Sequence, residues 1–133
     1  MILLDTNTLI RFAAGMSDLG ASARRRVSDG LIGGGLALSS VSLWEIALKH
    51  SKKKLHLPRS PADFWDHALS LGFAEIPLDG RIALESVALS AFGADPADRF
   101  IVATARLHGA ELMTSDERIL SWPGALARID ARL

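Results

Sequence analysis

Cysteine is absent from the 133 residues. Its absence excludes a disulfide framework, a zinc knuckle, a thiol nucleophile and an iron–sulfur site, and fits a reducing compartment. Net charge is absent too: 15 lysines and arginines balance 15 aspartates and glutamates, with the four histidines counted as neutral. Proteins that hold nucleic acid through bulk charge are strongly basic. Any nucleic-acid contact here must therefore come from a local basic patch or from a metal. No apolar run approaches the ~20 residues needed to cross a bilayer. The opening Met-Ile-Leu-Leu-Asp does not read as a signal peptide, because Asp5 and Arg11 interrupt its apolar stretch. The expected location is the cytoplasm.

What is present is ordinary globular material. Hydrophobic residues at 49% and charged residues at 23% exclude wholesale disorder. The length points to a single domain over residues 1–133. Ile2-Leu3-Leu4 is a short apolar run that stops at Asp5, as a buried strand would. Further strands are expected at 36–38, 73–78, 111–114 and 126–129, and helices at 8–14, 19–29, 42–53, 61–71, 80–89 and 95–107, with Gly33-Gly34-Gly35 as a loop. Ser60-Pro61 and Asp95-Pro96 are strong helix openings, combining a capping side chain with proline at the first helical position. Strands alternating with helices predict an α/β sandwich with a parallel sheet covered on both faces.

Four carboxylates stand out by position. Asp5 ends the first strand, and Asp116 follows the 111–114 strand by two residues. Ligands of open α/β sheets bind beyond the carboxyl ends of the strands, so both acids fall on the ligand-binding end. Glu45 and Asp98 lie near the starts of two helices. Each has a bland explanation as well: Ser42-x-x-Glu45 is a capping-box spacing, and an acid in a first helical turn suits the macrodipole. Glu45, however, shares a helix face with Val41 and Leu48, where a buried carboxylate wants a cation or a proton. Unit charges ~4 Å apart repel by ~4 kcal/mol at an effective dielectric of ~20, so four converging acids need a cation to stay ionised. Oxygen ligands without cysteine or histidine suit Mg²⁺ or Mn²⁺. Such a site activates water and neutralises a phosphodiester.

The segments Leu3-Leu4-Asp5-Thr6-Asn7, Ser42-Leu43-Trp44-Glu45-Ile46, Asp95-Pro96-Ala97-Asp98-Arg99 and Thr114-Ser115-Asp116 occur in order at the spacings of a PIN domain. The whole chain resembles the VapC toxins of bacterial toxin–antitoxin modules. The resemblance implies a PIN-like three-layer sandwich whose mostly parallel sheet of four or five strands is flanked by helices. It implies a Mg²⁺-dependent endoribonuclease, with Mn²⁺ as a substitute, in which a metal-activated water leaves a 5′-phosphate and a 3′-hydroxyl. It assigns metal binding and catalysis to Asp5, Glu45, Asp98 and Asp116, with Thr114 or Ser115 as a polar helper. It also implies a VapB-type antitoxin that blocks the cleft, and a toxin homodimer; the apolar Leu9, Ile10 and Phe12 of the early helices are candidate contacts for the antitoxin, although core burial would use the same pattern. Two departures bear on the groove beside the acids: Gly93-Ala94 stands where many relatives carry His-Arg or similar, and Ala97 replaces a frequent phenylalanine.

The dense basic stretches, Arg24-Arg25-Arg26 and Lys49, Lys52, Lys53 and Lys54, are either solvated helix surface or phosphate contacts that steer RNA to the cleft. Arg99 reads as an ion-pair partner. The histidines show no ligand spacing, and Trp44, Trp65 and Trp122 read as core rather than as stacking platforms. No Gly-Lys-Ser/Thr follows Gly33-Gly34-Gly35, so it is not a phosphate loop. The competing functions are a PIN-fold RNA- or protein-binding module without turnover and an Asp-based phosphotransfer protein. Against the second, the chain has Asp5-Thr6-Asn7 instead of Asp-x-Asp and no lysine after Lys54.

Overall fold

The computed structural model describes residues 1–15, 17–93 and 95–133; Ala94, one of the two positions in the Gly93-Ala94 departure, lies outside them. The strands are β1 (Ile2–Leu4), β2 (Leu36–Ser39), β3 (Ala74–Ile76), β4 (Glu111–Thr114) and β5 (Arg128–Asp130). The helices, seven among the described residues, are α1 (Thr6–Ala13), α2 (Ala21–Gly33), α3 (Ser40–Ser51), α4 (Pro61–Ser70), α5 (Gly80–Ala88), α6 (Pro96–Leu107) and α7 (Glu117–Leu120). All five strands run parallel, in the order β3-β2-β1-β4-β5. The expected α/β sandwich is observed, with a wholly parallel sheet.

Strand alternation divides the core into two layers. Ile2, Leu4, Leu36, Leu38 and Met113 pack with Leu9, Val27, Ile46 and Phe64 on one side of the sheet. Leu3, Ala37 and Leu112 pack with Ile82, Ile101, Val102 and Ile119 on the other. Successive strand residues point to opposite faces, so a continuous apolar run such as Ile2-Leu3-Leu4 feeds both layers at once. The chain builds β2 and β3 on one side of β1, then crosses to place β4 and β5 on the other. That reversal opens a crevice between the carboxyl ends of β1 and β4.

Several local expectations need correction. Helix α1 begins at Thr6 because Asp5 caps it, accepting the Thr8 N–H at 2.9 Å. Helix α3 begins at Ser40, capped by Ser39, so Ser42 sits buried in its first turn and forms no capping box with Glu45. Gly33 is the last residue of α2. The turn into β2 is made by Gly34 and Gly35 at φ +86° and +93°, values that side chains resist. Helix α7 is an addition that four residues were too few to announce.

The connection from α7 to β5 is held by a half-buried cation. The Arg128 guanidinium donates to the carbonyls of Ile119, Leu120, Trp122, Gly124 and Leu126 at 2.7–3.1 Å, tying β5 to the end of α7. Arg128→Met would strand several of these acceptors. It is expected to lower the unfolding free energy by about 2–3 kcal/mol, read as a reduced denaturant midpoint at unchanged m-value.

Candidate active site

The crevice end of the sheet carries the acids. Asp5 follows β1 and is 5% exposed. One of its carboxylate oxygens caps α1, and the other accepts the Thr114 hydroxyl from the end of β4. Thr114 Oγ1 in turn accepts the Asp116 N–H at 3.0 Å, so one threonine couples the two acids across the β1–β4 junction. Asp116 caps α7 through the Arg118 N–H at 2.9 Å. Three helix caps in this region are therefore acidic: Asp5, Asp95 and Asp116.

Glu45 projects from α3, one turn before Lys49, and accepts the Thr6 hydroxyl. Thr6 has a single proton to give, so the Ser42 hydroxyl, 2.9 Å away, donates to Thr6 in its turn. Asp98 stands at the third position of α6, where Asp95 accepts its N–H at 3.3 Å and that of Ala97 at 3.0 Å. Pro96 fixes the first helical φ, so the Asp95-Pro96-Ala97-Asp98 opening is built as its sequence suggests.

The electrostatics bind these groups into one cluster. Burial, followed by the charges of Asp95, Asp116, Glu45 and Asp5, pushes the Asp98 carboxyl up to about 7. Burial also raises Asp5 against the hydrogen bonds of Thr114 and Thr8, and raises Glu45 against Thr6 and Lys49. Asp116 goes the other way. Its burial pushes upward, but hydrogen bonds and charge from Arg118 outweigh that and hold it below the usual range. The Arg118 guanidinium lies 3.2 Å from Asp116 and 3.6 Å from Asp98.

The donor set is one of hard oxygens, and three of the four acids are driven toward protonation by the site itself. Such an excess of negative charge is relieved by protons or by a cation with hard-oxygen preference. Among the described residues, no three acidic or histidine side chains stand at ligating distance of one point in their present rotamers. The four acids form a charge cluster whose members are engaged by Thr6, Thr8, Thr114 and Arg118 rather than by each other. The residues suit Mg²⁺ or Mn²⁺ in chemistry, and binding would require the carboxylates to turn inward.

Other sequence candidates fall at varied distances from the cluster. Ser115 accepts from Arg11 at the end of α1. Lys49 is half-buried beside Glu45, while Lys52, Lys53 and Lys54 are exposed at the end of α3. Arg24, Arg25 and Arg26 are exposed on α2, and Arg26 pairs with Glu111 at 2.8 Å, at the start of β4 and so at the opposite end of the sheet from the acids. Arg99 forms no ion pair among the described residues. It donates to the carbonyls of Ser86, Val87, Leu89, Phe92 and Gly93 and clamps the segment leading to Asp95. Trp65 and Trp122 are core residues, but Trp44, beside Glu45, is 58% exposed, contrary to expectation. Asp95, Thr6, Arg11 and Arg118 join the site beyond the residues assigned from sequence. Thr6 and Asp95 lie within the motif segments of Asp5 and Asp98, and Arg118 follows Asp116 by two residues, whereas Arg11 carries no local signal.

A larger, apolar cavity of about 390 Å³ lies away from the acids, between α1, α4 and the segment before α4, lined among others by Ile10, Phe12, Leu57, Phe64 and Leu71. Leu9 also lines it but is a core residue, 1% exposed. No helix among the described residues is long and apolar enough to cross a membrane.

A family model described as "PIN domain" matches residues 2–123. The chain is 31% identical over 121 residues to "Ribonuclease VapC22" of Mycobacterium tuberculosis, covering 90% of each protein. Among solved structures, it is similar to a "Toxin-antitoxin complex from Klebsiella pneumoniae" at 28% identity and a TM-score of 0.64, covering 97% of this chain and 96% of that one. It also matches VapBC2 from Rickettsia felis, bound to a promoter DNA fragment, at 20% identity and a TM-score of 0.73, covering 97% and 98%.

Proposed function

The chain belongs to the PIN domain family, and from that premise we propose that it is a VapC-type toxin, an endoribonuclease that hydrolyses RNA phosphodiester bonds with a divalent cation. The observation that carries the reading is the Asp98 carboxyl, pushed up to about 7 by burial and by four other acids at the open end of the β1–β4 crevice. A fold gains nothing from such crowding, and perturbed carboxylates in a crevice mark functional sites.

Asp5, Glu45, Asp98 and Asp116 would hold the ion. Mg²⁺ or Mn²⁺, when bound, supplies positive charge for the phosphodiester oxygens and lowers the pKa of a water. The chain's own residues prepare the site. Thr114 and the α1 amino end each engage one oxygen of Asp5 and hold its carboxylate at the crevice, with lone pairs left for an ion toward which the other acids turn. Thr6, backed by Ser42, orients Glu45. Asp98 gains from its position in the first turn of α6, where the helix dipole favours the ionised form that a ligand needs. Arg11 at Ser115 and Lys49 beside Glu45 put positive charge at two margins of the cluster, suited to flanking phosphates in a chain with no net charge.

The cavity at α1 and α4 suits the apolar side chains of a partner. Ile10, Phe12, Leu57 and Phe64 would receive a VapB-type antitoxin segment, with His56, Arg59 and His67 also on its wall for that segment's polar groups.

The test is cleavage of end-labelled RNA by the purified chain with Mg²⁺, with Mn²⁺ and with EDTA. Metal-dependent cuts that leave 5′-phosphate and 3′-hydroxyl ends are expected. A folded protein that binds Mg²⁺ and RNA yet leaves every bond intact would replace this reading with that of a binding module.

A further inference from the structure

Arg118 is the one cation paired with the acid cluster among the described residues, and its geometry shows two attachments of unequal strength. Its backbone N–H donates to Asp116 Oδ1 at 2.9 Å, a bond fixed by the start of α7. Its guanidinium reaches Asp116 Oδ2 at 3.2 Å and Asp98 Oδ2 at 3.6 Å. The two carboxylates are 24% and 19% exposed, but the arginine side chain is 66% exposed. Two acids that repel each other are thus bridged by a side chain lying over them from the solvent.

An ion pair with so exposed a partner holds weakly. A divalent cation taking Asp98 and Asp116 as ligands would repel the guanidinium and compete for the same oxygens. The backbone cap would survive, because it does not involve the side chain. The displaced guanidinium remains tethered at the rim of the cluster, beside the hollow formed by Phe92, Gly93 and Asp95. There the next anion to arrive is the phosphodiester backbone, whose oxygens match the planar donor fork of arginine.

We propose that Arg118 changes partners during the reaction: it is the counter-ion of the Asp98–Asp116 pair before the cation binds, and a phosphate-binding residue for the RNA afterwards. This role rests on the metal-dependent ribonuclease reading. It separates Arg118 from Arg99 and Arg128, whose guanidinium groups are spent on backbone carbonyls.

The test compares wild type with Arg118→Gln and Arg118→Lys. Apparent Mg²⁺ affinity is read without RNA from the rise in melting temperature, and KM and kcat are read on mixed-sequence RNA over a series of salt concentrations. Removing the charge is expected to tighten Mg²⁺ binding about twofold to fivefold, the scale of one exposed ion pair. In the same variant KM for RNA should rise about tenfold, with the slope of log KM against log salt reduced by about one phosphate contact. Lysine keeps the charge without the fork and should fall between the two. The opposite signs are decisive, since a merely structural arginine would weaken both affinities together. That outcome, or unchanged values for both, overturns the proposal. If Arg118→Gln fails to fold, Arg118→Lys must still show tighter Mg²⁺ binding and a raised KM, and wild-type values in it would be equally fatal. A wild-type chain that neither binds Mg²⁺ nor cuts RNA sinks the ribonuclease reading and this role with it, whereas normal wild-type activity beside an indifferent Arg118→Gln sinks this role alone.

Discussion

Asp98→Asn is expected to cut RNA cleavage by about 10²–10³-fold, the scale of removing one electrostatic stabiliser from a catalytic site, while making the metal-free protein harder to melt. The two effects share one cause. Asp98 is the acid on which burial and the charges of Asp95, Asp116, Glu45 and Asp5 all press in the same direction. Asparagine keeps the shape and the place in the first turn of α6 but removes the charge that those groups oppose. In EDTA at pH 8 the melting temperature should therefore rise. In Mg²⁺ the order should reverse or narrow, because the wild type gains a ligand-bound state that the variant has lost. Asp95→Asn is the matched control. Asparagine caps helices as well as aspartate does, and Asp95 is exposed at the rim, so its loss of activity should be much smaller. A folded Asp98→Asn protein with wild-type turnover would remove Asp98 from the site.

That variant could be chosen from sequence because its signals are local. Asp95-Pro96 and Ser60-Pro61 open helices through contacts within three residues, and both behave as read. Asp5 at the end of Ile2-Leu3-Leu4 is placed by the strand itself, since a buried parallel strand hands its next residue to the carboxyl edge of the sheet. The acids were thus visible as strand ends and helix starts. Their partners were not, because those lie far along the chain. Thr6 meets Glu45 across 39 residues, and Thr114 meets Asp5 across 109. The same distance hid the use of Arg26, whose partner Glu111 is 85 residues away at the other end of the sheet. The error at Ser42 has a different origin. Ser39 and Ser42 are both adequate caps by type, and only the length of β2 decides between them. Pairing with β3 through Ser39 carries the strand one residue further than its apolar run. Trp44 was misjudged because the apolar residues of α3 ring more of the helix than its buried side uses.

The pH dependence of stability should carry the sign of the acid cluster. Asp98 titrates near 7 in the folded chain and near 3.8 when unfolded, so between those values the folded state binds the extra proton. The stabilisation it brings is complete below pH ~4 and is lost as pH rises through about 7, at a slope no steeper than ~1.4 kcal/mol per pH unit and reduced by the partial solvent screening of the cluster. Asp5 and Glu45 are raised as well and add to the same trend. Asp116 and Asp130, held low beside Arg118 and Arg132, contribute in the opposite sense, and their stabilisation is lost only as pH falls below the ordinary carboxylate range. The metal-free protein should therefore be most stable in mild acid, near pH 4–5, and weaken steadily toward pH 8. Mg²⁺ replaces the missing protons with positive charge, so its stabilising effect should grow along the same interval, small at pH 5 and largest at pH 8. Denaturant unfolding at four or five pH values, with and without Mg²⁺, measures both curves. A flat metal-free profile would mean that the carboxylates do not press on one another. A Mg²⁺ effect independent of pH would mean that the ion binds somewhere other than among them.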